Sequence, residues 1–221
     1  MVLMNKMPFL FFPERYGQGM SNFLAMAHQN GVTSLMDMGI GTFGDPIGET
    51  KLIRDIAEEK QAPSRIVLTP IITDFLARGK SISKAIKEVK AWEQGNSHRV
   101  MFDKHFKIMM DGAIFSGASQ INFPGYMDNH EGMWMAPLET TYQWAEAFWN
   151  EGYQIHAHTN GDKSTAALID ITRRLQKQNF RLDHRLTLEH FVCYSPKFRP
   201  ANKIVNPSEK GVHDEQPTEA T

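Results

Sequence analysis

The sequence predicts an α/β protein built on a parallel sheet, and three observations carry that prediction. Short apolar, strand-like runs alternate with amphipathic, helix-like ones along most of the 221 residues, the order in which βαβ crossovers connect parallel neighbours. Three of the runs, FKIMMDG, YQIHAHTNGD and LTLEH, are each followed by a loop. Those three carry Lys107, His158 and His190 near their ends, and the C-terminal strand ends of parallel α/β proteins form the rim where chemistry is placed.

Residues 21–29 (SNFLAMAHQ) have helical periodicity and stop at Asn30-Gly31, a helix C-terminal signal, after which VTSLMDMG is a buried strand. A helix over 46–60 follows, with Asp45 as N-cap and Pro46 at its first position, and RIVLTPI is the next strand. Ser81 or Ser83 caps a helix over SISKAIKEVKAWEQ that closes at Gly95. FKIMMDGAI then runs into a long irregular segment, 116–137, rich in Gly, Asn, Pro and Met; loops of that length usually carry function, and this one is placed to cover the rim. An aromatic-faced helix over 139–150 precedes YQIHAHTNGD, and a helix over 163–178, basic toward its end, precedes RLTLEHFVCY. This makes about five parallel strands with flanking helices, expected in sequential order in one sheet because right-handed crossovers set each strand beside its predecessor. Beyond Ser195 the charges and prolines lose all apolar periodicity, so residues 1–195 are expected to form one domain and 196–221 a disordered tail.

With 24 Lys+Arg against 25 Asp+Glu, no polybasic face draws the chain to nucleic acid or anionic lipid. A small-molecule partner is expected. At 41% hydrophobic and 10% aromatic residues the chain can bury a sizeable core. The single Cys193 excludes an intramolecular disulfide and fits a reducing compartment, so a cytoplasmic location is expected. MPFLFFP is too short and too interrupted by Pro8, Pro13 and Glu14 to be a signal peptide, and no apolar run approaches membrane-spanning length.

The candidate site residues each have two readings. His156 and His158 alternate on one strand and share a face, where an imidazole can ligate a metal or bond a backbone carbonyl. His190 follows Glu189 at a strand end, and Lys107, taken alone, reads as a solvated charge. Asp111 and Asp162 sit in turns where carboxylates cap backbone N–H groups. Asp37, in MDMG, can serve the site or only close its turn. His98, His105, His130 and His184 read as surface residues, with His130 a candidate for substrate contact because its loop overhangs the rim. The Met and Trp side chains of GMWMAP can line a pocket or pack a lid.

The runs GVTSLMDMG, KIMMDGAIFS, GYQIHAHTNGD and LTLEHF resemble the amidohydrolase superfamily, specifically the family-3 branch that includes N-substituted formamide deformylase-like enzymes, over roughly residues 15–195. The resemblance implies a distorted (β/α)8 barrel whose strand ends hold one or two divalent metals. It implies that Lys107 is carboxylated, and that His158 and His190 are ligands, with His156, Glu189, Asp111 and His130 around them. The chemistry suits those residue types: neutral imidazoles bind Zn²⁺, and a lysine carbamate is an anionic oxygen donor.

Full members of that family also carry an HxH motif on the first strand and an aspartate on the last, and neither is present here. The chain resembles strands two to six of the barrel, a partial TIM barrel of the metal-dependent hydrolase type. It is therefore expected to bind at most one zinc ion and to expose open barrel edges that pair with another chain. The leading function is hydrolysis of a non-peptide carbon–nitrogen bond, as in an amide or formamide, by a metal-activated water. In that reading Asp37 and Asp162 are the candidates for the missing catalytic aspartate. The alternative is a catalytically inactive barrel fragment that retains one metal half-site or a partner-binding sheet edge; a phosphotriesterase-like hydrolase ranks third.

Overall fold

The computed structural model of the chain describes residues 13–42, 44–59 and 62–193. In order, α1 (Pro13–Gln29), β1 (Ser34–Ile40), α2 (Pro46–Glu59), β2 (Arg65–Pro70), α3 (Ile72–Ala77) and α4 (Ile82–Glu93) make up the N-terminal half. They are followed by β3 (Val100–Met101), β4 (His105–Met109), α5 (Leu138–Asn150), β5 (Gln154–Thr159), α6 (Asp162–Gln178) and β6 (Thr187–His190). The expected disordered tail lies outside the described residues. Among those residues, no helix is long and apolar enough to cross a membrane.

Among the described residues all strand pairs are parallel, but the single sequential sheet expected from the sequence is instead two three-stranded sheets, β1-β2-β3 and β4-β5-β6. The reason lies between residues 100 and 107. The place beside β2 is filled by two short strands in succession: Val100 and Met101 pair with Ile66 and Val67, and the chain then turns through Lys104 at φ +52°. It re-enters as β4, whose Lys107 makes one isolated parallel bridge to Ile71. Sequential order survives while the hydrogen-bond ladder does not. A two-residue strand gives no periodicity to read, which is why β3 escaped prediction.

The helices also differ from expectation at two points. α1 starts eight residues before the predicted boundary at Ser21, because Pro13 and Glu14 suit a first turn and Gly17 and Gly19 are carried within the helix. α3 follows β2 almost directly and was not predicted. Its Asp74 is buried and takes two 2.9 Å hydrogen bonds from Arg78 Nε, and Arg78 also pairs with Glu88 of α4 at 2.7 Å.

Each sheet packs its helices on one face. Phe106 and Ile108 of β4 and Ile155 and Ala157 of β5 are fully buried against α5 and α6, with Phe106 stacked on Phe148 at 3.6 Å between centroids. Ile66, Leu68 and Val100 pack with Leu24, Ile53 and Ile56 under α1 and α2. Side chains alternate along a strand, so Lys107, His156 and His158 fall on the face away from the helices.

Candidate metal centre

Register brings the polar residues of the second sheet together. Lys107 of β4 lies opposite His156 of β5, and His158 lies opposite Glu189 of β6; cross-strand partners in parallel pairing present side chains to the same face. Thr159 is the partner of His190, so simple alternation would turn the His190 ring to the helical face. Instead β6 ends with His190 at φ +73° and Phe191 at φ +47°, a left-handed conformation uncommon without glycine. The His190 ring consequently meets His158 edge-on, with centroids 4.7 Å apart. Neighbouring residues Glu189 and His190 thereby both reach the rim.

Lys107 is buried, and among the described residues its amine has no hydrogen-bond or ion-pair contact. Burial holds its pKa below the usual lysine range, opposed only by Glu189 acting through space. His158 is held below the usual histidine range by burial first and then by the neighbouring His190, so it favours the neutral imidazole that a metal requires. Its Nε2 accepts from Asn160 Nδ2 at 3.0 Å, while the same amide also donates to the Gly112 carbonyl at 3.1 Å. Asn160 therefore keeps a partner when His158 turns to an ion.

His156 has both ring nitrogens engaged. Nδ1 lies 2.9 Å from Glu189 Oε1 and Nε2 lies 3.0 Å from His105 Nδ1, forming a chain across the sheet face. His105 was read as a surface residue and is instead half-buried, with burial and His156 holding its pKa down. Its two-residue spacing from Lys107 was the signal that could have placed it on this face. His184, also read as surface, is half-buried with its ring 5.1 Å from Trp149.

Asp111 is fully buried and accepts four hydrogen bonds: from Asn160 N at 2.9 Å, Gly161 N at 2.9 Å, Gln120 N at 3.0 Å and Ser164 Oγ at 2.8 Å. It ties the loop after β4 to the loop after β5. Asp162, at the start of α6, accepts from Asn122 N at 2.8 Å and anchors the long loop. His130 stacks on Tyr126 and is spent on Asp128 at 2.5 Å and the Gly117 carbonyl at 2.7 Å. Asp37 is not brought to this group; its carboxylate accepts from Gly39 N at 3.0 Å and acts electrostatically on Tyr16 and Glu49. Trp134 bridges Asp111 and packs against the core beneath the loop, whereas Met133 is exposed.

Among the described residues no three His, Cys, Asp or Glu side chains converge as a ready metal cage. A site made from His158, His190 and Lys107 would need the lysine carboxylated, since only that modification would supply a third, anionic donor. The class of protein this fold and rim define is set by comparison. The sequence matches the model of the amidohydrolase family over residues 3–204, and the chain belongs to that family. Two solved structures share the fold. One is an uncharacterized metal-dependent hydrolase from Pyrococcus furiosus, with a TM-score of 0.57 at 15% identity over 74% of this chain and 32% of that one. The other is an uncharacterized metal-dependent hydrolase from Pyrococcus horikoshii OT3, with a TM-score of 0.54 at 14% identity over 73% of this chain and 31% of that one. This chain thus spans about a third of the length of each. Among curated proteins, none matches it significantly.

Proposed function

We propose that this chain forms part of the (β/α)8 barrel of a metal-dependent amidohydrolase that cleaves a non-peptide carbon–nitrogen bond, of amide or formamide type, in a small molecule. The observation that carries the reading is the meeting of Lys107, His158 and His190 at one strand-end rim, with the lysine buried and its amine uncommitted. A depressed pKa leaves more of the amine neutral, the form that adds to carbon dioxide to give a carbamate and a proton. A divalent ion such as Zn²⁺ would supply a water of pKa about 7 and polarise the scissile carbonyl. His158, kept neutral by burial and by His190, presents its Nε2 lone pair once Asn160 falls back on Gly112. Glu189 fixes the His156 ring and biases Lys107 from the same strand end.

Zinc content after chelation and reconstitution tests the assignment. At most one equivalent per chain is expected, bound more tightly in the presence of bicarbonate, lost in His158→Ala, and insensitive to bicarbonate in Lys107→Ala. Two tight equivalents, or full retention in His158→Ala, would overturn it.

A second reading, an inactive chain that keeps the half-site, is favoured by one observation: the carboxylates near the rim are committed. Asp111 serves four donors, Asp162 holds Asn122, and Glu189 holds His156. Loss of a general acid/base contribution costs typically about 10²–10⁴-fold in rate. Turnover of N-substituted formamides by the zinc-loaded chain separates the readings: rates near background favour the half-site, and bicarbonate-dependent hydrolysis favours the enzyme. Under either reading β1 and β6 each have a single neighbour among the described residues, and we propose that these edges pair with another chain.

A further inference from the structure

We infer that Asn160 is a positioning residue that latches His158: in the metal-free chain its amide occupies the ring's lone pair, and it must be displaced before any electrophile, a metal ion included, can take that nitrogen. The inference deepens the metal reading above and rests on it only in its zinc measurement.

Asn160 is buried, and its backbone is pinned from both sides. Its N–H donates to Asp111 Oδ1 at 2.9 Å and its carbonyl accepts from Cys193 N at 2.8 Å, so the loop after β4 and the chain beyond β6 hold it between them. The side chain is the part left to act. Its Nδ2 lies 3.1 Å from the Gly112 carbonyl and 3.0 Å from His158 Nε2. A carbonyl oxygen only accepts, so the atom facing Gly112 is the amide nitrogen, and an amide nitrogen only donates. The other roles follow. His158 Nε2 is the acceptor, and the proton of the neutral ring sits on Nδ1. The nitrogen turned to Asn160 is thus the one with the lone pair, and that lone pair is already engaged.

The consequence is a sign. Removing a side chain that only supports the ring would weaken capture of an ion, whereas removing one that competes for the lone pair would strengthen it. The surroundings favour competition, because little else depends on the amide. The Gly112 carbonyl also accepts from Ser119 Oγ at 3.1 Å and keeps that bond without Asn160. The strand beneath the ring is held independently, with the His158 carbonyl accepting from Met110 N at 3.0 Å. Asn160→Ala therefore leaves one acceptor without its donor, His158 Nε2, and frees its lone pair.

The test uses the full chain, stripped of metal and labelled with ¹⁵N-histidine. Nitrogen NMR should show His158, assigned by its loss in His158→Ala, with a protonated Nδ1 and a bare Nε2 that moves toward the free-imidazole position in Asn160→Ala. Diethyl pyrocarbonate acylates an imidazole through its lone pair, and peptide mass mapping should find His158 modified about three- to tenfold faster in Asn160→Ala, the worth of one neutral hydrogen bond. Zinc, measured by competition with a chromophoric chelator at fixed bicarbonate, should bind more tightly by about the same factor. Asn160→Ser, one atom shorter, carries the test if Asn160→Ala does not fold. A proton on Nε2, which would turn it into a donor to the Gly112 carbonyl, overturns the inference. So does an equal modification rate, or zinc that both proteins bind with no gain in the variant, as a purely supporting side chain would give. Zinc bound by neither protein defeats the metal reading of the rim, and the nitrogen shifts and the modification rate then decide the latch on their own.

Discussion

Around the sheet β1-β2-β3 burial acts on the acids Asp37, Glu49 and Tyr16, and in β4-β5-β6 it acts on the bases Lys107, His158 and His105. Burial pushes Glu49, which accepts from Gly41 N at 2.8 Å, up to about 7, raises Asp37, and takes the Tyr16 phenol up to about 12. In the other half burial pushes Lys107, His158 and His105 down. One physical cause, the cost of taking a charge out of water, thus has opposite consequences. In the first half the carboxyl groups are harder to ionise, which makes them poorer ligands for a cation. In the second half the neutral form of each nitrogen is favoured, the form that a metal or carbon dioxide needs. The proposed metal rim is accordingly the one in the second half, even though both sheets present polar groups at their strand ends.

The largest difference between the halves should appear at Asp111. It is the only carboxylate described above with four hydrogen-bond donors, three from the loops that shape the rim and the fourth from Ser164 in the first turn of α6. Asp111→Ala strands two buried backbone N–H groups of the β5–α6 loop and one of the loop after β4, and should cost about 3–5 kcal/mol in urea unfolding. The loss should concentrate in hydrogen-exchange protection of residues 112–120 and 160–165 and leave β1 and β2 unchanged. An effect spread evenly over both sheets would dissolve the distinction between them.

Much of this arrangement is legible in the chain because it follows from alternation. FKIM and QIHAH place Lys107, His156 and His158 on one face by period two, and the apolar partners Phe106, Ile155 and Ala157 complete the pattern. What alternation cannot show is backbone that leaves the regular regions. The φ of +73° at His190 brings its ring to a face its position in the pleat denies it, and the φ of +52° at Lys104 breaks the ladder between the sheets. Neither residue is a glycine, so no composition signal marks them. His105 was misread because the strand was begun at Phe106, one residue late, which left it in a loop.

The titration contrast yields a prediction of opposite pH slopes. Glu49 has a folded pKa above its ordinary 4.5, so its contribution is fully present below pH 4.5 and is lost as pH rises through about 7. His158 and His105 have folded pKa values below their ordinary 6.5, so their contribution is present above pH 6.5 and is lost as pH falls below it. On acidification from pH 8 to 5.5, exchange protection in β1 and α2 should increase while protection in β4 and β5 decreases, measured on metal-free protein. Glu49→Gln should flatten the first slope and stabilise the protein at pH 8 by on the order of 1–2 kcal/mol, after discounting for solvent screening of a partly exposed group. Parallel slopes in both halves would show that burial is not the deciding influence.

The smallest expected effect concerns two helix caps, both in the N-terminal half. Asp45 precedes α2, and its Oδ1 accepts from Gly48 N at 3.0 Å, satisfying a donor that the first turn leaves free. Ser81 precedes α4 and is likewise a cap candidate by sequence, yet its hydroxyl makes no capping bond and lies 3.3 Å from Ser83 Oγ instead. A cap is worth what it bonds, so Asp45→Ala should cost about 1 kcal/mol and Ser81→Ala less than about 0.3 kcal/mol. The two residues look equivalent as letters, and thermal unfolding of the pair of variants isolates the hydrogen bond from the letter. Equal losses would mean that Ser81 Oγ turns to the helix in solution, and the contrast between the two caps would be gone.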